Sequence, residues 1–338
     1  MSKSHYSDLG TPNKITRAAE NLRKGGVVAF PTETVYGLGA DISQPEAIKK
    51  IFEIKGRPYN HPLIVHFAKL AELDFWARNI PQKALILAEH FWPGPLTLIL
   101  PKSKHVPLNA TGGQNTVGLR IPRHPIALQL LTELGSHKAI AAPSANRFGF
   151  ISPTTADHVK ETFGDSIDII LDGGHCEVGL ESTIVSCLDN EITVLRPGGI
   201  SVSQLESVLK QRVTIQPHNR VIRTSGSLVS HYATITPLEI CHSKSLFARA
   251  CDLQQRKIRT AIVIWGKHEI DIQQKTSKLL HYIFMPDNPI EFAQNLYTTL
   301  RDLDNKNFQQ ILVEAPPDNP EWLAITDRLT RASHTFHK

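Results

Sequence analysis

Lys55, Arg57 and His61 stand close together in the chain, beside the glycine and proline of a Lys-Gly-Arg-Pro turn. A guanidinium group binds pairs of oxygens through parallel hydrogen bonds, and an ammonium group adds a mobile point charge. This combination suits a polyphosphate. A solvated basic turn is the alternative for the two cations, and His61 and the nearby His66 are equally explained as ordinary polar residues.

Hydroxyl-rich turns follow predicted strands at two places. Thr34 lies in Pro-Thr-Glu-Thr-Val-Tyr-Gly-Leu-Gly, whose glycines let the backbone approach a ligand. Ser144 follows Ala142 in Ala-Pro-Ser-Ala-Asn, and Ser152 comes shortly after, so that hydroxyl, amide and backbone donors are available to cradle an anion. Turn formation or helix capping explains each segment as well, and the first also fits a capped turn before a helix.

Arg120, Ser182 and Arg196 are placed at predicted strands. Arg120 ends a strand just before a proline, where its guanidinium group is available to a carboxylate. Ser182 and Arg196 belong to two strands of a predicted hairpin and add a hydroxyl and a third cation. A structural ion pair for Arg120, an ordinary strand face for Ser182 and a surface charge for Arg196 are the alternatives.

Several familiar signatures are missing from the sequence. It contains no GxxxxGK[ST] phosphate loop, no GxGxxG followed by the expected acidic residue, no HExxH and no GxSxG. The common ATPase, dehydrogenase, metalloprotease and esterase interpretations therefore lose their main support.

The elements that must position these side chains alternate between helical and strand patterns. Helical spacing over 15–22, ended by a glycine pair, leads into a buried strand at 27–30. Further helices are predicted near 45–54, 83–90 and 203–211, and further strands near 63–67, 96–100, 116–119, 139–142, 167–171, 182–185 and 193–196. The alternation is too irregular for a purely parallel sheet, so we expect an α/β fold with a twisted mixed sheet.

The chain changes character beyond this region. We expect a catalytic domain at 12–207, a linker at 208–237 where Gly, Ser, Thr and Pro interrupt the periodicity, and a smaller domain at 238–338. In the last part, strands near 259–265 and 310–314 alternate with helices near 289–303 and 321–333. This pattern favours a small, doubly wound, Rossmann-like α/β domain.

The composition suits a globular protein, since 41% of the 338 residues are hydrophobic. The net charge of +5 and the pI near 9.0 are compatible with an anionic substrate or with RNA and decide neither. The polar N-terminus lacks a signal-peptide pattern and no apolar run could span a bilayer, which predicts a soluble, cytoplasmic protein with no membrane partner. The four cysteines lack metal or disulfide spacing and are interpreted as reduced thiols.

Seven segments, taken in order, resemble the YrdC-like family of threonylcarbamoyl-AMP synthases. They are PTETVYGLG, KGRP with HPLIVH, WPGPLTL, GLRIP, APSAN with SPT, ESTIV and RPGGI. The rest of the chain resembles the longer members, which add a linker and a Rossmann-like C-terminal domain. In that extension the resemblance rests on His231-Tyr232 and on Ala324-Ile325 with Asp327-Arg328-Leu329.

The resemblance implies a role for individual residues. A pocket for L-threonine would be lined by Thr34, His66, Arg120, Ala142 and Ser182, with Arg120 paired to the carboxylate. ATP would be bound by Arg57, His61, Thr116, Ser144, Ser152, Arg196 and, from the linker, Tyr232. Lys55 would lie near the phosphates and share the catalytic role with Arg57. No residue is assigned to a metal.

The resemblance also implies the reaction. The amine of threonine would add to carbon dioxide or bicarbonate, and an oxygen of the resulting carbamate would attack the α-phosphorus of ATP and expel pyrophosphate. Positioning and stabilisation of negative charge would carry most of the catalysis. Mg2+ would accompany ATP, with phosphates and water as its main ligands. A separate complex would then transfer the threonylcarbamoyl group to tRNA, which this chain would itself bind weakly.

Two other functions fit parts of the sequence. An RNA-binding module would show affinity that falls steeply with salt and would consume no ATP. A carbamoyl-AMP-forming relative would start from carbamoyl phosphate, as in hydrogenase-maturation proteins with the same domain, but the chain lacks their acylphosphatase-like and zinc-finger regions.

Under the favoured interpretation, we expect the linker around His231-Tyr232 to act as a lid over ATP.

Overall fold

The structure is a computed structural model that describes residues 12–188, 191–215, 222–224, 231–266 and 277–334. The chain divides into two compact units, Met1–Phe148 with Ser152–Ser227, and Gly149–Ile151 with Leu228–Lys338. The predicted linker is thus shared between the two units. Where the catalytic domain, the linker and the C-terminal domain begin and end stays a prediction.

In the first unit, strands and helices alternate irregularly. Its strands are β1 (Val28–Phe30), β2 (Gly37–Asp41), β3 (Ile64–His66), β4 (Leu96–Pro101), β5 (Thr116–Arg120), β6 (Ile140–Ala142), β7 (Ile169–Ile170), β8 (Thr183–Ser186), β9 (Thr193–Arg196) and β10 (Thr214–Ile215). Its helices are α1 (Pro12–Arg23), α2 (Pro45–Lys55), α3 (Leu73–Trp76), α4 (Gln82–Phe91), α5 (Pro125–Leu134), α6 (Ala156–Phe163) and α7 (Val202–Leu209).

Among the described residues these strands form one ten-stranded sheet in the order β10-β9-β8-β4-β5-β3-β6-β2-β1-β7. Parallel pairs such as β3 with β5 alternate with antiparallel pairs such as β4 with β5. The predicted mixed sheet and the hairpin of β8 and β9 are therefore confirmed. One large apolar cluster, which includes residues of α2, α4 and β5, and a second, which includes residues of α1, α5 and β6, bury the sheet.

Helix α2 shows how local sequence places one candidate residue. Pro45 occupies its first turn, where a missing backbone N–H costs nothing, and Gly56 ends it with a left-handed φ of 65°. Lys55 is therefore the last helical residue, and the chain turns sharply towards Arg57.

Two segments differ from the sequence prediction. The turn that begins at Pro31 leads into β2, not into a helix, and β2 pairs antiparallel with β1. Its glycines explain the difference: a Cβ atom on Gly39 would collide with Ile140 of the neighbouring β6, so this strand needs glycine where its sequence resembles a loop. Helix α5, which the sequence prediction missed, begins at Pro125 after a side-chain cap from His124.

The second unit is a smaller α/β domain. It contains β11 (Leu238–Cys241), β12 (Thr260–Trp265), β13 (Leu280–Met285) and β14 (Gln310–Glu314), with α8 (Ser243–Gln255), α9 (Pro289–Asp304) and α10 (Leu323–Ser333). All strand pairs are parallel, in the order β11-β14-β12-β13. The parallel sheet expected of a Rossmann-like domain is confirmed, while β11, α8 and β13 were not predicted.

The four cysteines, at 176, 187, 241 and 251, carry free thiols, and three of them are buried. Their interpretation as reduced thiols stays a prediction. Within the described ranges, no helix combines the length and the apolar character needed to cross a membrane.

Candidate active site

Strand register places several of the candidate residues on one face of the large sheet. Thr116, Gly118 and Arg120 alternate along β5 and therefore face the same side. His66 is the register partner of Arg120, and Ala142 lies on the same face through its pairing with the strand that carries His66. Gly118 separates Thr116 from Arg120 in this row, and the side chains of Thr97 and Ile99 lie 3.3 Å from where its Cβ atom would be.

Neighbouring strands extend the same face. The hydroxyl oxygens of Thr97, on β4, and Ser182 lie 2.7 Å apart. Arg196, on β9, donates to the carbonyl oxygen of Ser182 at 2.8 Å and to its hydroxyl at 3.2 Å. A hydroxyl assigned to threonine and a cation assigned to ATP are thus in direct contact.

We call Thr34, His66, Arg120, Ala142 and Ser182 the threonine half of the candidate site, and the residues assigned to ATP the ATP half. Beside the threonine half lies a buried ion pair that the sequence did not reveal. Arg120 Nη2 lies 2.8 Å from Glu33 Oε1, and the two side chains are 4% and 1% exposed. The other carboxylate oxygen of Glu33 accepts a hydrogen bond from the backbone N–H of Arg123 at 2.9 Å. Beside it, the buried hydroxyls of Thr32 and Thr34 lie 2.8 Å apart.

Three polar atoms of this half have no hydrogen-bond partner among the described residues: Glu33 Oε1, Arg120 Nη2 and His66 Nδ1. Glu33 and Arg120 therefore attract each other by charge without an aligned hydrogen bond. Buried polar groups are nearly always satisfied, and their exceptions concentrate at functional sites. The cluster offers an acceptor and a donor to a small ligand.

Buried His66 should make stability depend on pH. Burial, assisted by the charge of Arg120, lowers the pKa of His66 from 6.5 to about 3. Between these values the unfolded chain binds a proton that the folded chain excludes. The free energy of unfolding should therefore fall as pH falls through this window, by up to about 1.4 kcal/mol per pH unit.

Urea unfolding at several pH values between about 7 and 4 measures this slope. His66→Gln should flatten it, whereas His90→Gln, which removes an exposed histidine, should leave it unchanged. An equal slope in wild type and His66→Gln would contradict the assignment of this proton to His66.

In the ATP half, Lys55 is already engaged. Its buried ammonium group donates to the carbonyl oxygen of Ser144 at 2.7 Å and also to that of Asn146. Burial, with the charge of Arg57 added, lowers the pKa of Lys55 well below its ordinary value. Lys55 thus ties the Ala-Pro-Ser-Ala-Asn loop to α2, and contact with a phosphate would require it to exchange one of these carbonyls.

Arg57 and His61 meet on one aromatic ring. Arg57 Nη2 donates to the carbonyl oxygen of Pro62 at 2.9 Å, and its guanidinium group lies 5.7 Å from the centre of the Phe148 ring. The His61 ring packs edge-on against the same ring at 5.3 Å. Burial and the charges of Arg57 and Arg223 lower the pKa of His61 to about 4, so it is neutral at pH 7.

Thr116 lines a cavity together with Gly118, Arg223 and Thr224. The side chain of Gln114 holds this segment at two points, because it accepts from the backbone N–H of Arg223 at 2.9 Å and donates to the Arg223 carbonyl oxygen at 3.1 Å. The early part of the predicted linker therefore packs against the first unit.

Backbone hydrogen bonds join the hydroxyl-rich segments. The N–H of Tyr36 donates to the carbonyl oxygen of Pro153 at 2.9 Å, and the carbonyl oxygen of Tyr36 accepts from the N–H of Ala145 at 2.8 Å. The turn that contains Tyr36 is thereby held to two neighbouring turns more than 100 residues further along the chain.

The serines of these turns are hydrogen-bonded within the protein. Ser144 Oγ donates to the side-chain oxygen of Asn146. Ser152 Oγ donates to the carboxylate of Glu181 at 2.6 Å. Ser152 must therefore rotate its hydroxyl, or share it, to contact a nucleotide.

Gly198 should be essential for the position of Arg196. A Cβ atom added to Gly198 would overlap the carbonyl oxygen of Glu181 and lie 2.5 Å from the backbone nitrogen of Thr183. Because backbone cannot yield as a flexible side chain can, we expect Gly198→Ala to lower the free energy of unfolding by about 1–3 kcal/mol and to raise the KM for ATP.

Gly113→Ala is the control for this change, since an added Cβ there meets nothing within 4 Å and only its positive φ of 82° is strained. Urea unfolding and steady-state kinetics compare the two. Unaltered stability in Gly198→Ala would mean that the turn moves freely and does not hold Arg196.

Tyr232 belongs to the second unit. Its buried ring lies 5.9 Å from the ring of Tyr297 and 4.9 Å from the guanidinium carbon of Arg328, and its φ of 62° is left-handed. The ring of His231 packs edge-on at 4.1 Å. The contact of Tyr232 with ATP and the lid stay predictions.

Sequence reasoning missed several residues of the site. Glu33 and Glu181 each stand directly before an assigned hydroxyl residue, and that position was the available signal. Thr97 stands in WPGPLTL, a segment that carried the family resemblance but received no site residue. Gln114 and Arg223 carried no signal, because their contact joins positions far apart in the sequence.

Two families match successive parts of the chain. Residues 20–198 match a family described as "Telomere recombination". Residues 200–334 match a family described as "Threonylcarbamoyl-AMP synthase, C-terminal domain".

Similar proteins cover almost the whole chain. The threonylcarbamoyl-AMP synthases of Pyrococcus abyssi and Bacillus subtilis are 40% and 39% identical to it, over 95% of this chain and 94% and 93% of their own lengths. The crystal structure of P. abyssi Sua5 complexed with L-threonine superposes with a TM-score of 0.86 at 38% identity, covering 94% of both chains. The chain belongs to the threonylcarbamoyl-AMP synthase family, in the form that carries the additional C-terminal domain.

Proposed function

We propose that this protein forms L-threonylcarbamoyl-AMP and pyrophosphate from L-threonine, ATP and bicarbonate or carbon dioxide, as a nucleotidyltransferase in the cytoplasm. Its product supplies the threonylcarbamoyl group for modification of tRNA by a separate transferring complex, and its own affinity for tRNA is weak. The observation that carries this proposal is the sheet face that Arg120, whose Nη2 has no aligned hydrogen bond, shares with Thr116 and Arg196, two of the residues assigned to ATP.

In the threonine half, Arg120 binds the carboxylate through a charge-assisted pair. Thr34 and Ser182 supply hydroxyls to the hydroxyl of threonine. His66, neutral because of its lowered pKa, contributes one hydrogen bond without a charge. Ala142 is small, which leaves room on the same face for the substrate.

In the nucleotide half, Arg57 and Arg196 neutralise the triphosphate, and Ser144 and Ser152 bind its oxygens. Thr116 lines the cavity at the far end of β5. Neutral His61 offers a hydrogen bond. Lys55 holds the loop that carries Ser144 and reaches the phosphates by exchanging a carbonyl partner.

The reaction requires little covalent help from the protein. The carbamate oxygen attacks the α-phosphorus of ATP, the bond to the β-phosphate oxygen breaks, and pyrophosphate leaves. The guanidinium groups at 57 and 196 stabilise the charge that develops on the phosphate oxygens, and the fixed sheet face aligns nucleophile and phosphorus.

Mg2+ fits this site as an ion that arrives with ATP, where it neutralises phosphate charge. The described residues include no group of three His, Cys, Asp or Glu side chains that could hold a metal. The oxygen ligands that Mg2+ prefers come from phosphates and water, and Glu181, which accepts a hydrogen bond from Ser152, is a carboxylate beside the ATP residues.

An omission assay tests the proposed function. Purified protein with ATP, bicarbonate and threonine should release pyrophosphate, and omission of any one of the three should abolish the release. Pyrophosphate release without threonine, or salt-sensitive RNA binding by a protein that consumes no ATP, would reject the proposal in favour of the alternatives.

A further inference from the structure

The unfilled hydrogen bonds of the threonine half point to a residue with no role assigned so far. We infer that Glu33 binds the α-amino group of the amino-acid substrate and accepts its proton, so that the amine can attack carbon dioxide. This inference rests on the proposed function and adds a catalytic residue to it.

The geometry places a negative and a positive group where a zwitterion needs them. Glu33 Oε1 and Arg120 Nη2 are 2.8 Å apart, both side chains are buried, and neither atom has a hydrogen-bond partner in the described part of the chain. An amino acid brings an ammonium donor for the first and a carboxylate acceptor for the second. Four charges of alternating sign then sum to zero in a buried site, which makes the burial of each less costly.

The fixed direction of the Glu33 carboxylate supports this assignment. Its Oε2 is held by the N–H of Arg123 at 2.9 Å, and its backbone carbonyl oxygen accepts from the N–H of Val178 at 2.8 Å. With one carboxylate oxygen and the backbone anchored, Oε1 is held in place beside Arg120 and next to Thr34. A carboxylate needed only to pair with Arg120 would gain from an aligned hydrogen bond to its guanidinium group. The contact between Glu33 Oε1 and Arg120 Nη2 is not aligned in this way.

The chemistry requires such a group because an ammonium nitrogen has no lone pair. One proton passes from the ammonium to the Glu33 carboxylate, and the freed lone pair forms a bond to the carbon of carbon dioxide. As this N–C bond forms, one C=O π bond of carbon dioxide breaks, and its electron pair becomes the single negative charge that the two carbamate oxygens share. The second proton leaves the nitrogen for solvent, and Glu33 later returns the first to solvent. Each ammonium and carbon dioxide thus give one carbamate and two protons.

A ligand-exchange experiment on the whole protein tests this without relying on turnover. Calorimetry without ATP compares L-threonine with (2S,3R)-2,3-dihydroxybutanoate, which carries a hydroxyl in place of the ammonium group. Wild type should prefer threonine by about 10- to 100-fold, as expected for a charge-assisted hydrogen bond. Glu33→Gln should bind both within about threefold of each other, and Glu33→Asp should retain the preference.

Glu177→Gln is the matched control, because Glu177 forms an exposed ion pair with Arg123 on a neighbouring segment and should keep the wild-type preference. Wild type that binds both ligands equally, or Glu33→Gln that retains the preference, overturns the inference. So does a Glu33→Gln variant that weakens both ligands equally, since Glu33 would then only position Arg120. If Glu33→Gln does not fold, the wild-type comparison alone still decides whether an ammonium contact exists.

A pH profile separates proton transfer from binding. In Glu33→Gln, kcat should rise about tenfold per pH unit at alkaline pH, because solvent must then deprotonate the amine. A uniformly low kcat at every pH would overturn the role as base. The omission assay tests the overall reaction separately. If the wild type forms the adduct but binds threonine no better than the dihydroxy acid, this inference is wrong and the proposed function stands.

Discussion

Replacing Arg120 with alanine is expected to raise the KM for threonine by about 30- to 100-fold, while the KM for ATP changes by less than about threefold. The guanidinium group is the carboxylate partner that the threonine half offers, and ATP is bound by other cations. Steady-state kinetics with each substrate varied in turn measures both constants. Equal weakening of both substrates would remove Arg120 from the amino-acid pocket.

The same change should also reduce stability. Without Arg120 the buried carboxylate of Glu33 loses its counter-charge, which costs about 3–5 kcal/mol when a buried pair is broken from one side. Urea unfolding should therefore accompany the kinetics, and Arg120→Lys provides a folded variant that keeps the charge but loses the bidentate geometry. Arg123→Ala removes a neighbouring exposed guanidinium and should alter neither KM.

The enzyme should discriminate more strongly against an amino acid that lacks the hydroxyl of threonine than against one that lacks its methyl group. L-serine, which lacks the methyl group, should have a kcat/KM about 10- to 200-fold below that of L-threonine. For L-valine, which lacks the hydroxyl, kcat/KM should be reduced by about ten-thousandfold. The reason lies in the buried hydroxyls of Thr34 and Ser182, which pair with Thr32 and Thr97 inside the protein and can form a further hydrogen bond only with a substrate that carries a hydroxyl.

Competition assays with the three amino acids at fixed ATP and bicarbonate measure these ratios. Ser182→Ala should narrow the difference in kcat/KM between threonine and valine, because it removes one of the hydroxyls that can bond to the hydroxyl of threonine but not to valine. If valine reacts better than serine in the wild type, the hydroxyl cluster does not contact the substrate side chain.

The order of segments and most elements of the first unit could be predicted from hydrophobic periodicity, and the mixed sheet followed from their irregular alternation. The shared face of the site could not. Whether Thr116 and Arg120 face the same side as His66 depends on pairing between strands separated by many residues, and the sequence carries no record of that register.

Glu33 illustrates a second limit. Its motif drew attention through hydroxyls and glycines, and an acidic residue before a threonine is equally typical of a helix cap. Only tertiary structure brings Arg120, far away in the sequence, to its carboxylate. Gly39 is the reason that β2 was not predicted as a strand. The strand needs glycine there because it passes close to Ile140, but glycine in a sequence is typical of a loop.

The linker could be predicted only as a break in periodicity. Arg223 belongs to the first unit, where Gln114 holds it, and Tyr232 belongs to the second unit. The predicted linker is therefore divided between the two units.

The central claim is that a carbon from bicarbonate lies between threonine and AMP in the product. Mass spectrometry of the adduct formed from ATP, threonine and bicarbonate labelled with a heavy carbon isotope tests it directly. We expect an adenylate that carries both threonine and the heavy carbon, formed in equal amount with pyrophosphate. An adenylate of threonine without the label would identify a simple amino-acid-activating enzyme and would contradict the account.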